Sequence, residues 1–150
     1  MKLIVDKNCP CRAQDHAPLA YNQCCLPWHA GWAHGVRAAT PEQLMRSRYS
    51  AYALAHPNNP DGQAMLQYLL ATWHVSTVPD DLELAPTQWL GLQVLHATQT
   101  DQAGIVEFVA RYKADGKAHQ LREVSRFILA PATSAQAAQW LYIDGDVSTD

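Results

Sequence analysis

Two hydrophobic periods divide the chain. From Thr40 to Trp73 apolar residues recur at helical spacing, and from Trp89 onward they alternate. The first helix is predicted to open at Thr40-Pro41-Glu42-Gln43. Thr40 is a natural N-cap, Pro41 suits a position where no backbone donor is needed, and Gln43 completes a capping box. Met45, Tyr49, Tyr52, Ala53 and His56 then fall on one face, with Arg46 and Arg48 on its opposite shoulders. Pro57-Asn58-Asn59-Pro60 ends this helix. A second runs from about Pro60 to Trp73, burying Met65, Leu66, Leu69 and Trp73.

After Pro79-Asp80-Asp81 the period becomes two. Residues 89–96, 105–112, 120–129 and 139–143 read as strands. In the first, Leu90, Leu92 and Val94 alternate with Trp89, Gly91 and Gln93. Asp115-Gly116 is a hairpin turn, because both residue types accept positive φ. That turn sets Phe108 opposite Glu123 and Val106 opposite Ser125. The face carrying Val106, Phe108, Ala110, Tyr112, Leu121, Glu123, Ser125 and Phe127 is the more apolar and should point inward. The other face carries Glu107, Arg111, Arg122 and Arg126, a solvated ladder of charges. Helices followed by an antiparallel meander make an α+β pattern. Strands wrapped around helices close into a cone with one open end.

The four cysteines change this picture. All lie between residues 9 and 25: Cys9-Pro10-Cys11, twelve residues, then Cys24-Cys25. Leu3-Ile4-Val5 is too short an apolar run for a signal peptide, and no stretch approaches the ~20 residues of a membrane helix. The expected setting is cytoplasmic and reducing, where clustered thiols favour a metal over disulfides. Zinc is the expected ion, with iron as the alternative. Four thiolates close a tetrahedral site, which is structural, since hydrolytic zinc needs an open position for water. His16, His29 and His34 are nearby alternative ligands. Trp28 and Trp32 are expected to dock this hairpin onto a main body whose core is independent of it. The net charge of −3, without runs of like charge, argues against nucleic acid as the main partner.

The two cysteine pairs resemble the SEC-C motif, a small metal-binding element. Here the gap between pairs is longer than usual and lacks the usual glycine and lysines. A wider resemblance follows in chain order. Its motifs are Leu44-Met45-Arg46-Ser47-Arg48-Tyr49-Ser50-Ala51-Tyr52, Thr72-Trp73-His74, Trp89-Leu90-Gly91-Leu92, Phe108-Val109-Ala110-Arg111-Tyr112, Glu123-x-Ser125-Arg126-Phe127 and Trp140-Leu141-Tyr142-Ile143-Asp144-Gly145. Together with the cysteines they resemble the bacterial YchJ-like family. The resemblance implies a nuclear transport factor two-like, or cystatin-like, cone of helices wrapped by a curved antiparallel sheet. A SEC-C hairpin and a linker in residues 1–39 would precede a cone domain in residues 40–150. No reaction is implied.

Glu123 and Ser125 are polar groups on an apolar wall. A carboxylate there must be paired or have a raised pKa. Arg46 or Arg48 is the expected partner, which gives a buried ion pair fixing helix to sheet. The competing role is a general base, with His74 or a tyrosine as the acid. Tyr49, Tyr52 and Trp73 are expected in the core or around the same pocket. Two functions follow. One is a zinc-clasped adaptor, or a module that binds a protein or a small molecule. The other is a cone-pocket enzyme working through Glu123.

Overall fold

A computed structural model describes residues 6–15, 17–56, 58–84 and 87–149. The Leu3-Ile4-Val5 run, His16 and Pro57 lie outside the described residues. Among the described residues, three helices precede four strands. The helices are α1 (Leu26–Gly31), α2 (Pro41–Leu54) and α3 (Gly62–Ala71). The strands are β1 (Gln88–Gln99), β2 (Ala103–Ala114), β3 (Lys117–Ala130) and β4 (Gln139–Thr149). Short 3-10 turns occupy Pro10–Arg12, Tyr21–Gln23 and Trp32–His34.

The start of α2 follows its capping residues. Thr40 Oγ1 accepts from the Gln43 N–H at 3.1 Å. Gln43 Oε1 reaches back to the Ala39 N–H at 2.8 Å, one residue earlier than an ordinary capping box. The strands form an antiparallel meander in the order β1-β2-β3-β4. The β2–β3 turn is the expected one, with φ of 52° at Asp115 and 77° at Gly116. Phe108 faces Glu123 and Val106 faces Ser125 in the register. On the outer face Arg122 pairs with Glu107. There Arg126 also reaches Asp144 at 2.5 Å and Asp146 at 2.9 Å.

Strict alternation fails at three bulges in the described strands: Leu90 and Leu95 in β1 and Ile143 in β4. The β1–β2 register steps from Trp89 opposite Tyr112 to Gly91 opposite Arg111, so Leu90 is the extra residue. Trp89 therefore shares the inner face with Leu92, not the opposite one. In β4, Ile143 is the extra residue between Tyr142 opposite Phe127 and Asp144 opposite Arg126. Beyond this bulge Gly145 lies opposite Ser125. The residues after α3 pair with β4: His74 N–H donates to the Tyr142 carbonyl at 2.7 Å, and Tyr142 N–H to that of Thr72 at 2.9 Å.

The cysteine segment is not an independent appendage. Cys9, Cys11 and Cys25 belong to the same buried cluster as Met45, Tyr49, Leu92, Val106, Phe108 and Phe127. The expected separate core is therefore corrected: the thiols are packed into the main one. Residues 26–34 are helical rather than a linker. Trp28 and Trp32 pack beside Tyr68 and Leu69. Arg37 then stacks 3.4 Å from the Trp32 ring and donates to Gln139 at 3.0 Å, tying this segment to β4.

Candidate metal centre and cone pocket

Backbone hydrogen bonds hold the two cysteine pairs side by side. Cys9 N–H donates to the Leu19 carbonyl and Tyr21 N–H to that of Lys7, each at 2.8 Å. Cys9 and Cys11 thus start one 3-10 turn, while Cys24 ends the other and Cys25 caps α1. All four sulfurs lie within 4.8 Å of one another. Sγ–Sγ distances are 3.7 Å for Cys9–Cys11, 3.5 Å for Cys11–Cys24, 3.7 Å for Cys11–Cys25 and 3.9 Å for Cys24–Cys25. A tetrahedron with metal–sulfur bonds of about 2.3 Å has edges of about 3.8 Å. The donor set fits a thiophilic cation closely, and all four thiols are free.

Protons are held unevenly among these sulfurs. Hydrogen bonding to Cys11, then Cys25, pulls Cys24 well below the ordinary thiol range. Hydrogen bonding to Cys24 pushes Cys11 up, and hydrogen bonding to Cys11 and Cys24 pushes Cys25 up. Binding a cation requires those protons to leave. The surroundings favour the charge that results. A divalent ion with four thiolates carries a double negative charge, and two guanidiniums stand beside it. Arg46 Nη1 donates to the Cys11 carbonyl at 3.2 Å and lies 3.9 Å from its sulfur. Arg12 and Arg46 both pair with Asp15, at 3.2 Å and 3.4 Å. Buried Ser50 bridges two sulfurs, 3.4 Å from Cys9 and donating to Cys25 at 3.3 Å.

Two of the alternative histidine ligands, His29 and His34, are placed elsewhere. His29 Nε2 lies 2.8 Å from the Ser47 carbonyl, which can only accept, so Nε2 carries the proton. Nδ1 then accepts from the Tyr21 hydroxyl at 2.6 Å. Burial holds the imidazole down to about 4, consistent with a neutral ring whose two nitrogens are already used. His34 is exposed.

A second site opens between α2 and the inner face of the sheet. It is a cavity of about 240 Å³. Met45, Trp89, Phe108, Ala110, Leu121 and Phe127 form its apolar walls. Arg48, Tyr49, Tyr52, Trp73, Glu123, Ser125 and Tyr142 supply its polar groups. Glu123 accepts a short hydrogen bond from Ser125 and a second from the Tyr142 hydroxyl at 3.2 Å. Burial pushes Tyr142 well above the ordinary phenol range, and the Glu123 charge adds to this.

Neither arginine pairs with Glu123, and the expected ion pair is corrected. Arg46 and Arg48 are two residues apart, about 200° around a helix, so they face different sites. Arg46 serves the cysteines and Glu42, which it meets at 2.9 Å. Arg48 does line the cavity, but Nη1 is held by the Leu69 carbonyl at 2.8 Å and Thr72 Oγ1 at 2.7 Å. Its guanidinium lies 4.9 Å from the Trp73 ring and 4.8 Å from the Tyr142 ring. Burial lowers the pKa of this guanidinium. His74 is also corrected as a candidate acid. Its Nδ1 bonds Ser76 at 2.6 Å in an exposed loop, and it does not line the cavity. Tyr142 is the pocket residue that sequence reasoning did not single out. Its motif was visible, but its inward position depends on the β4 pairing.

Comparison with known proteins identifies the fold and the family. The description "YchJ, middle NTF2-like domain" matches residues 40–145. A UPF0225 protein of Ralstonia nicotianae is 51% identical over 148 residues, covering 93% of this chain and 91% of the relative. Another, from Cupriavidus metallidurans, is 45% identical over 141 residues, covering 93% and 88%. The crystal structure of a SEC-C motif containing protein from Psychrobacter arcticus superposes with a TM-score of 0.78 at 30% identity, covering 97% of this chain and 85% of that one. The solution structure of a SEC-C motif containing protein from Rhodopseudomonas palustris gives 0.67 at 28% identity, covering 87% and 94%. The chain belongs to the UPF0225 family of SEC-C motif proteins, with a YchJ-type middle domain of nuclear transport factor two-like fold.

Proposed function

We propose that this protein is a metal-clasped binding module: zinc sits on Cys9, Cys11, Cys24 and Cys25, and the cone pocket takes a small molecule. The observation that carries the reading is the sulfur spacing: four of the six distances are 3.5–3.9 Å, close to the edge of a closed tetrahedral thiolate site, and all lie within 4.8 Å. Such a site has no position for an activated water, so the metal's contribution is structural. The working surface is then the cavity. Residues 1–39 supply the clasp and residues 40–150 the pocket. Free thiols suit a cytoplasmic setting.

The enzyme reading asked for an idle carboxylate in the cone. Glu123 instead accepts from Ser125 and Tyr142, which suits a fixed binding group better than a proton carrier. Elemental analysis of the purified protein tests the clasp. One zinc per chain is expected, lost in Cys9→Ser and Cys25→Ser. Iron in its place would change the ion and keep the clasp, while disulfides or metal-free folded protein would end the reading.

A further inference from the structure

We infer that the cone pocket binds a compact zwitterion of the amino-acid class. Its carboxylate would sit on Arg48 and Trp73, its ammonium on Glu123, and its apolar side chain against Met45, Trp89 and Phe108. This rests on the binding-module reading and specifies the ligand.

Arg48 and Trp73 bring two donor groups to the cavity. Arg48 is only 5% exposed. A buried cation is ordinarily paired. Among the described residues, however, no carboxylate forms an ion pair with it. A backbone carbonyl, a hydroxyl and two ring faces hold it on the cavity wall. A guanidinium has five N–H donors in a fixed fork that matches a carboxylate. The second donor is Trp73 Nε1, which is buried and has no hydrogen-bond partner. Trp73 lines the same cavity, and its ring stands beside the Arg48 guanidinium. An orphaned buried donor beside an uncompensated cation calls for an acceptor with negative charge.

Glu123 sets the other end. It is half-buried on the cavity wall and accepts two hydroxyl hydrogen bonds, yet it has no cationic partner among the described residues. A carboxylate accepts up to about four hydrogen bonds. Tyr142 spans the two charges: its ring lies under Arg48 and its hydroxyl donates to Glu123. The gap between the charges is therefore one that a single tyrosine side chain reaches across. A bound amino acid bridges such a gap with one hydrogen bond of about 2.8 Å at each end.

Charge complementarity narrows the class. A simple anion would satisfy Arg48 and be repelled by Glu123, whereas a simple cation would do the reverse. A zwitterion meets both. The volume of about 240 Å³ lies below the range of about 300–1,000 Å³ usual for drug-sized ligands, so the side chain must be small.

The test titrates metal-loaded full-length protein, read by tryptophan fluorescence from Trp73 and Trp89 and by calorimetry. The probes are L-leucine, 4-methylpentanoate (leucine without the amine) and 3-methylbutylamine (leucine without the carboxylate), with the phenylalanine series in parallel. An intact amino acid is expected to bind at least about tenfold more tightly than either truncated relative, the worth of one hydrogen bond to a charged group. Glu123→Gln should abolish the preference for leucine over 4-methylpentanoate. Arg48→Lys should weaken both carboxylates about tenfold or more, with folding verified by thermal unfolding. If that variant does not fold, Glu123→Gln decides alone. Equal or tighter binding of a truncated probe overturns the zwitterion and leaves the pocket reading intact. No binding by any probe overturns the zwitterion. If a broad set of neutral and charged small molecules also fails, the pocket reading falls as well.

Discussion

Gly145 is a sensitive reporter of how Glu123 is held. It lies opposite Ser125 on the inner face of β4. A methyl group added there would fall 2.9 Å from Glu123 Cδ and 3.0 Å from Cγ, and closer still to Oε2. Ordinary carbon contacts are about 3.5–4.0 Å. Gly145→Ala therefore forces the carboxylate aside by a large part of an ångström. It cannot then keep both the Ser125 and Tyr142 hydrogen bonds. One hydrogen bond to a charged group is worth about 1.5–3 kcal/mol. Glycine to alanine in an unstrained strand returns about 0.4–1 kcal/mol by reducing the freedom of the unfolded chain. The expected net cost is about 1–2 kcal/mol.

The sharper form is a double-mutant cycle. In Glu123→Ala the obstruction is gone, so the same Gly145→Ala change should become neutral or stabilising, by up to about 1 kcal/mol. The measurement is urea unfolding of the four proteins with metal content held equal, read as midpoint and slope. A reversal of sign between backgrounds is the prediction. An equal cost in both backgrounds would mean that Gly145 is not sized for Glu123, and the account of the inner wall would be wrong.

Other consequences follow from the same geometry. Chelating the metal should lower the stability of the whole chain in a single transition, because Cys9, Cys11 and Cys25 sit in the main core; an early transition confined to the hairpin would contradict this. Cadmium should replace zinc with ligand binding retained, as the proposed clasp role requires; loss of binding with the fold intact would give the metal a chemical role. His29 is held to about 4 against an ordinary 6.5, so its share of stability is complete above pH 6.5 and falls as pH drops toward 4. Wild type should lose about 3 kcal/mol more than His29→Gln across that window, and parallel pH curves would count against a buried neutral ring. Thr40→Ala should cost about 1 kcal/mol through the lost N-cap.

What could be read from the residues depended on whether local chemistry settled it. Asp115-Gly116 admits few conformations, so the β2–β3 register and the placing of Glu123 and Ser125 on one face were both legible. A bulge inserts one residue without any compositional mark, so the displacement of Leu90 and Ile143 was not. That is why Trp89 was expected on the wrong face and Tyr142 was passed over. Helix α1 is too short to show a period, and Pro27 near its start was the available signal. The partners of Arg48 were invisible for another reason. They are a carbonyl, a hydroxyl and two ring faces, none of which announces itself as a counterion.

Helix α2 explains why the two sites belong to one molecule. Every residue from Leu44 to Ala51 is buried, including Arg46, Ser47, Arg48 and Ser50. A surface helix shows one apolar stripe and a polar opposite face, whereas a helix enclosed on all sides shows neither. Met45 and Tyr49, one turn apart, line the cavity. On another face Ser50 and Arg46 meet the cysteines, and the Ser47 carbonyl holds His29. The Ser47 hydroxyl meets Tyr68 of α3 at 2.7 Å. The polar residues are thus spent on the clasp and on neighbouring helices rather than on water. A core with so many enclosed polar groups holds one arrangement only when all of them find partners. The cysteine site supplies partners on one side of the helix, and Arg48, Tyr49 and Tyr52 leave from the other toward the pocket. On the proposed reading, a closed metal that takes no part in chemistry would still have a purpose here: it would fix the helix whose side chains line the pocket.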